Sequence, residues 1–570
     1  MSEGPCARVC RWLLVSALAS FCLWKGAGTA SAYLESAGAG SYTDCWREAA
    51  RNAPGHRIAL LCKDASNLSP MDRARLAAIS WERVPEASVT VDRDSDLRPF
   101  DTVLSFAWLA AADERKLKDD GFVLVASNRH AKTWSREGVS PSVGTPPSAA
   151  PSAVRECLAL SVEFALLLLC LRMLAGRAPL SLTLSSVATA LVVLVGYQSE
   201  VSAFARLTLS SVATALVVAS LLGCIALSHT LLEPNGLGTY GGKAKLLFSC
   251  EGLPRDYFTT VAGNALQPSY PPGMTLLAYF HFLLSGGCGD RLVQLLEAFA
   301  MGLVGIGLLR GGSGPRAAVP VALYLLSPMA IRTTSGFYAE PFAALMLLVG
   351  WNRLVRGEVV RGALILGLSG MFRPEAGVVA AAFALAGCWG QGVRRSLTSA
   401  AVAALPAFAW MVTARLLGYG GVQDWDCLSV PRFGQMGYAL LCEARFLGVT
   451  VIPVALVLYL VRPLHRPCID RPARRALLAA AALMLIVPIL CGFHASSHAA
   501  WMMDNTVPRF AWYVLVVPLG ALARCAVTQR SSGAEGSWGD APETVGTDPA
   551  PSKSGLYPSP LYLFLCYNSH

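Results

Sequence analysis

The chain has 570 residues, of which 54% are hydrophobic and only 15% charged, against roughly 25% charged in soluble domains; its mean hydropathy is +0.48. The net charge of +10 is no nucleic-acid signal, because most arginine clusters fall between apolar stretches, where the positive-inside rule puts them. These values exclude an ordinary soluble enzyme. They leave a chain that crosses a bilayer repeatedly.

The first segment reads as a targeting element. Arg8 and Arg11 precede a short apolar run from Trp12 to Trp24, and Ala30-Ser31-Ala32 supplies small residues of the cleavage-site type. Residues 1–32 are therefore a signal peptide or a signal anchor, and the segment after them is exported. Residues 33–155 are polar and acidic, with short strand-like runs at Arg57 to Leu61, Ser88 to Val91, Thr102 to Phe106 and Phe122 to Ala126. Helical patterns such as Met71 to Ile79 lie between them. Such alternation predicts a small α/β domain. It carries no nucleotide-binding glycine loop and no nucleophile elbow, which favours a structural or partner-binding role. A Pro/Ser linker, Ser140 to Pro151, ends it. Asn67-Leu68-Ser69 matches a glycan acceptor signal of low specificity.

About a dozen apolar stretches occupy the chain between residues 157 and 525. They predict a mainly α fold, a polytopic helical bundle of about 11 to 13 spans over residues 156–526. A polar tail occupies 527–570. Arg353, Arg356 and Arg361 mark one cytoplasmic loop, Arg394 and Arg395 a second, and Arg462, Arg466, Arg471, Arg474 and Arg475 a third. Between the first two, Phe372-Arg373-Pro374-Glu375 interrupts the apolar run. Pro374 disfavours helix at Arg373, so two short helices meet there, near the outer face. The same parity places Glu340, the loop Gly418 to Leu441 and the loop His494 to Arg509 outside. The segment LTLSSVATALVV occurs twice, at Leu182 to Val193 and Leu207 to Val218, a local tandem duplication that affects the span count.

Of the 17 cysteines, most sit singly in apolar helices, where Cys behaves as a small hydrophobe. No pair has zinc-ligand spacing. Cys45 with Cys62, and Cys427 with Cys442, are candidate disulfides if exported. Charges inside the hydrophobic body are the functional suspects: Glu340, Arg373 and Glu375 first, with Glu163 and Glu297 left open. The longest polar interruption, His229 to Gly273, holds Glu233, Lys243, Lys245, Glu251, Arg255 and Asp256. Two lysines beside carboxylates suit phosphate binding and hydroxyl activation.

The order of elements resembles the GT-C superfamily of membrane glycosyltransferases, which use sugars on polyprenyl phosphates. It is most similar to the bacterial branch with dolichyl-phosphate-mannose-type and lipid A-modifying enzymes. Five segments carry the resemblance: Tyr240-Gly241-Gly242-Lys243-Ala244-Lys245, Gln267-Pro268-Ser269-Tyr270-Pro271-Pro272-Gly273, Ser335-Gly336-Phe337-Tyr338-Ala339-Glu340-Pro341, Phe372-Arg373-Pro374-Glu375-Ala376-Gly377 and Pro508-Arg509-Phe510. The resemblance covers roughly residues 157–525. The family commonly has an early loop Asp beside Trp; here that stretch reads Glu233-Pro234-Asn235-Gly236-Leu237-Gly238. The base is then Asp256 first, Glu340 next, with Glu233 and Glu251 open and Glu375 as a third catalytic carboxylate. The resemblance implies an inverting transfer to an exported glycan, lipid or protein acceptor. It implies donor-phosphate contacts from Lys243, Lys245, Arg373 and Arg509, and a pocket of Tyr270, Pro271 and Tyr338. No cofactor is expected, with a divalent metal left open. Membrane lipids are partners and nucleic acid is not. The compartment implied is a bacterial inner or plasma membrane. The resemblance also requires His229 to Gly273 outside, whereas counting every apolar run as a span puts it inside; motif order is preferred. The alternative is a non-catalytic polytopic protein, a carrier or flippase for lipid-linked sugars or an inactive scaffold.

Overall fold

The computed structural model describes residues 5–36, 42–54, 57–62, 75–76, 78–79, 88–91, 95–107, 111–139, 209–228, 235–249, 267–290, 292–309, 315–419, 433–461, 471–492 and 506–522. Outside them lie Asp256, Glu233, Glu251, Arg255, Glu163, Asn67, Cys427, His494 and His498. The Ser140–Pro151 linker, the first copy of the duplication and the tail 527–570 also lie outside.

The described structure is mostly helical, with one small sheet near the N-terminus. Its strands are β1 (Ile58–Leu61), β2 (Ser88–Val91), β3 (Thr102–Phe106), β4 (Phe122–Ser127) and β5 (Ala131–Arg136), in the order β2-β1-β3-β5-β4. β1 pairs in parallel with both neighbours, Ile58 facing Ser88 on one side and Thr102 on the other. Buried at every residue, it is the continuous apolar run that a central parallel strand requires. β5 pairs antiparallel with β3 and β4. The sequence reading missed β5, whose residues AKTWSR show no apolar run. The turn before it is built by Asn128, whose Oδ1 accepts from the backbone N–H groups of His130 (3.1 Å) and Ala131 (2.8 Å). Trp134 then buries its ring and donates from Nε1 to Ser105 Oγ at 2.9 Å. In the predicted Met71 to Ile79 helix, Arg75, Leu76, Ala78 and Ile79 are helical and buried. Cys45 and Cys62 are buried thiols rather than a disulfide. The Arg47 guanidinium pairs with Asp290 at 2.7 Å, and Trp46, Ile58 and Leu60 share one apolar core with the helices. That joins sheet and helical body.

Among the described residues, four helices are long and apolar enough to cross a membrane: Trp12–Ala32, Leu292–Leu309, Val393–Leu416 and Phe433–Val457. Five shorter apolar helices among those residues accompany them: Ala213–Leu227, Gly273–Ser285, Val359–Met371, Pro374–Cys388 and Thr506–Leu522. On Val393–Leu416, the side chains of Leu397, Leu405, Phe408 and Leu416 are more than half exposed. An outward apolar face of that kind suits hydrocarbon contact rather than water.

The helices cross closely at small residues. Gly377, in helix Pro374–Cys388, faces helix Val393–Leu416 so tightly that a Cβ there would lie 2.4 Å from Ala407 Cβ. In contrast, a Cβ on Gly437, in helix Phe433–Phe446, meets nothing within 4 Å. Alanine therefore has opposite effects at the two positions. Gly437→Ala gains about 0.5–1 kcal/mol from helix propensity, whereas Gly377→Ala loses about 1–3 kcal/mol from overpacking. Thermal unfolding in detergent checks the pair, and equal shifts would refute the crossing.

Candidate functional site: a buried cluster of carboxylates and arginines

Helix Pro328–Ser335 ends at Gly336, and the chain turns through Phe337, held at φ +54°. The next helix, Glu340–Val355, starts with Glu340, and Pro341 sits in its first turn. Proline is tolerated there because the first N–H groups have no helical partner, and a carboxylate complements the positive end of the helix. The same logic operates after Arg373. It is extended (φ −139°, ψ 125°), Pro374 opens the next helix, and Glu375 lies in its first turn. Glu297 lies in the first turn of Leu295–Leu309, and Arg509 in that of Thr506–Leu522.

These four helix starts meet. Arg373 Nη1 lies 3.4 Å from Glu340 Oε1, and Arg509 Nη1 lies 3.2 Å from the same oxygen. Arg373 also donates from Nε to Glu375 Oε1 at 2.8 Å, with Nη2 on that oxygen as well. Side-chain exposure is 0% for Glu340, 3% for Arg373 and 5% for Arg509, but 23% for Glu375. Glu375 is thus the carboxylate of this group that reaches a surface. The Arg509 guanidinium sits 4.3 Å above the Tyr338 ring, and that of Arg373 lies 5.7 Å from Tyr270.

Tyr270 arrives through the Gln267–Gly273 turn. At Gly273 the chain passes so near Met371 that a Cβ would lie 2.5 Å from its carbonyl oxygen; only glycine permits this approach to the Arg373 segment. Pro271 is buried in the same turn. Trp410 Nε1 donates to Ser269 O at 2.8 Å and fixes it from the side of helix Val393–Leu416. Lys243 and Lys245 share helix Gly241–Ser249, but two residues turn the helix by about 200°. Lys243 donates to the backbone carbonyls of Gln267 (3.2 Å) and Tyr270 (3.3 Å). Lys245 instead acts on Cys288, whose thiol is pushed up to about 12 by burial. The two lysines do not form one phosphate clamp.

Two residues of the cluster, Tyr240 and Tyr513, are not among the sequence-derived candidates, and the sequence leaves a third, Glu297, open. The Tyr240 hydroxyl faces Arg373, and its ring meets Tyr270 edge-on at 6.4 Å. Burial pushes both phenols above their ordinary value, with Arg373 opposing. Tyr513 lies one turn beyond Arg509 and interacts with Glu375, Arg373 and Glu340. Glu297 is fully buried and interacts with Glu340 and the Phe337 N–H. Its sequence signal was a charge inside an apolar run. That of Tyr513 was its spacing of four from Arg509.

The Glu340 carboxylate is held by ion pairs rather than by hydrogen bonds of good geometry, and the buried hydroxyls of Tyr513 and Ser335 make no hydrogen bond of good geometry. Buried polar groups are normally paired, so such hydroxyls leave room for water or a polar ligand. Among the described residues, no three of His, Cys, Asp and Glu gather as metal ligands.

No family model, no curated protein and no solved structure matches this chain.

Removing one member of a buried ion pair leaves the other uncompensated. Arg373→Met is expected to destabilise by about 3–5 kcal/mol, and Glu340→Gln to lose less when added to it than alone, with a coupling of at least about 0.5 kcal/mol. A double-mutant cycle on detergent unfolding midpoints reads the coupling; additive losses would dissolve the cluster into independent contacts.

Proposed function

We propose that the chain is a multi-pass membrane glycosyltransferase of GT-C type, taking a sugar from a polyprenyl phosphate to an exported acceptor. Its place is a bacterial inner or plasma membrane, with the 33–155 domain on the exported side. The observation that carries this reading is the meeting of four segments remote in sequence, at Tyr270, Glu340, Arg373–Glu375 and Arg509, in one buried cluster of helix N-termini. Helix N-termini favour anions, and arginine matches phosphate oxygens in a bidentate fork.

The acceptor hydroxyl oxygen attacks the anomeric carbon as the bond from that carbon to the phosphate oxygen breaks. One displacement inverts the carbon and needs no covalent intermediate. The hydroxyl proton passes to a carboxylate, and Arg373 and Arg509 stabilise the departing phosphate. Among the carboxylates of the cluster Glu375 suits the base role best, being the one with surface access and with Oε2 not engaged by Arg373. Asp256, outside the described residues, is its rival. Glu340, held by both guanidiniums, positions them. A carrier would set its charges near the bilayer midplane in two related halves; the sequence carries no such half-to-half symmetry.

The test is transfer of radiolabelled sugar from a panel of polyprenyl-phosphate donors into membranes holding the full chain. Wild type is expected to transfer, and Glu375→Gln or Asp256→Asn, whichever is the base, to lose about 10²–10⁴-fold while still inserting. Glu340→Gln is expected to weaken donor binding as well as turnover. Absence of transfer by wild type across the panel would overturn the enzyme reading in favour of a carrier or scaffold.

A further inference from the structure

The Gln267–Gly273 turn carries Tyr270 to the arginines, and its backbone is not at ease. Gln267 is held at φ +53°; with Phe337 it is one of two non-glycine residues at positive φ among those described. Such a conformation costs about 1–3 kcal/mol and persists only where neighbours enforce it. Three neighbours do so. Thr239 Oγ1 donates to Gln267 Oε1 at 3.0 Å, Trp410 donates to Ser269 O, and Lys243 Nζ bonds the carbonyls at both ends, Gln267 O and Tyr270 O. The Lys243 side chain is buried.

We propose that Lys243 is the positioning residue of the site rather than a ligand-contacting cation: its amine ties helix Gly241–Ser249 to the strained 267–270 turn and thereby sets Tyr270 against Arg373. This role holds whether or not the reaction is sugar transfer. The donor count fits. A neutral amine has two N–H groups, one for each carbonyl.

Burial, with no charged neighbour contributing, pulls Lys243 down to about 7. If the turn opens, the amine meets water and regains its ordinary value, 10.5. The open form then binds the proton more tightly. The closed turn therefore gains stability as pH rises from about 7 towards 10.5, and below 7 the gain is absent. Other ionisable groups on the packed elements are Lys245 of helix Gly241–Ser249, Tyr279 and His281 of helix Gly273–Ser285, Arg415 of helix Val393–Leu416, and Tyr240, Tyr270 and Arg373. Phenols ordinarily titrate at about 10, above the pH range tested below, and burial raises Tyr240 and Tyr270 further; arginine stays charged, and the His281 imidazole serves as the control.

Hydrogen–deuterium exchange of the 267–277 segment, in the full chain in detergent and corrected for intrinsic rates, tests this. Between pH 6.5 and 8.5 wild-type protection is expected to rise roughly 10–30-fold, from the shift of the lysine between the two forms. In Lys243→Met protection falls at least about tenfold at pH 8.5, and the pH dependence disappears. Lys243→Arg, which cannot become neutral, likewise shows no pH dependence and guards against a misfolded Met variant. His281→Asn keeps the wild-type profile. Flat wild-type protection, a slope surviving in Lys243→Arg, or a slope lost only in His281→Asn would each overturn the proposal. So would Lys243→Met that keeps full protection but weakens binding of inorganic pyrophosphate; that is the signature of a phosphate contact.

Discussion

Burying Glu340 is the constraint on which the helical body is arranged. A fully buried carboxylate costs several kcal/mol unless cations and hydrogen bonds surround it. Here two guanidiniums converge on one of its oxygens, from two separate chain segments. Arg373 reaches it because Pro374 forbids helix at the preceding residue and leaves Arg373 extended. Arg509 reaches it from the first turn of Thr506–Leu522 and lies across Tyr338, two residues before Glu340. The tight contacts at Gly273 and Gly377 bring the flanking helices close enough for this. Loss of one charge should loosen the whole group, because each partner is buried against another.

Much of the site was legible because charge and proline are conspicuous against an apolar background. Glu340, Arg373, Glu375 and Arg509 stand out for that reason alone, and Tyr270 and Tyr338 travel with them in short motifs. What local spacing could not show was direction. Lys243 and Lys245 look like a pair in sequence, yet a helix points them apart, one to a turn and one towards Cys288. Glu297, Tyr240 and Tyr513 join only through tertiary packing; Glu297 and Tyr513 are lone polar residues among apolar ones, and Tyr240 lies in a glycine-rich stretch beside Lys243. In the sheet, β1 to β4 declared themselves as short strand-like runs. β5 did not, since its pairing rests on the Asn128 turn and on a tryptophan anchored to a serine one strand away.

The two strained residues mark where the fold accepts a local cost. Phe337 turns the chain between Gly336 and Tyr338, and Gln267 opens the turn that carries Tyr270. Each sits beside an aromatic ring that faces an arginine. Strain placed there, and enforced by neighbours such as Thr239, Trp410 and Lys243, is the pattern of a preorganised site rather than of a structural core. A core alone would be served better by apolar packing, since buried ion pairs add little net stability.

Charge balance links this preorganisation to chemistry. The cluster pairs two carboxylates, Glu340 and Glu375, with two guanidiniums. An anionic ligand entering it has to take an arginine away from a carboxylate. Glu340 is locked between both arginines, and Glu297, equally buried, lies beside it. Glu375 is held by Arg373 alone and is partly exposed, so it is the carboxylate that yields. If the ligand is a phosphate, one exchange would seat the leaving group on Arg373 and release Glu375 to meet an incoming hydroxyl. Binding of the donor would then itself arm the base, which accounts for a carboxylate placed two residues from the arginine it must give up.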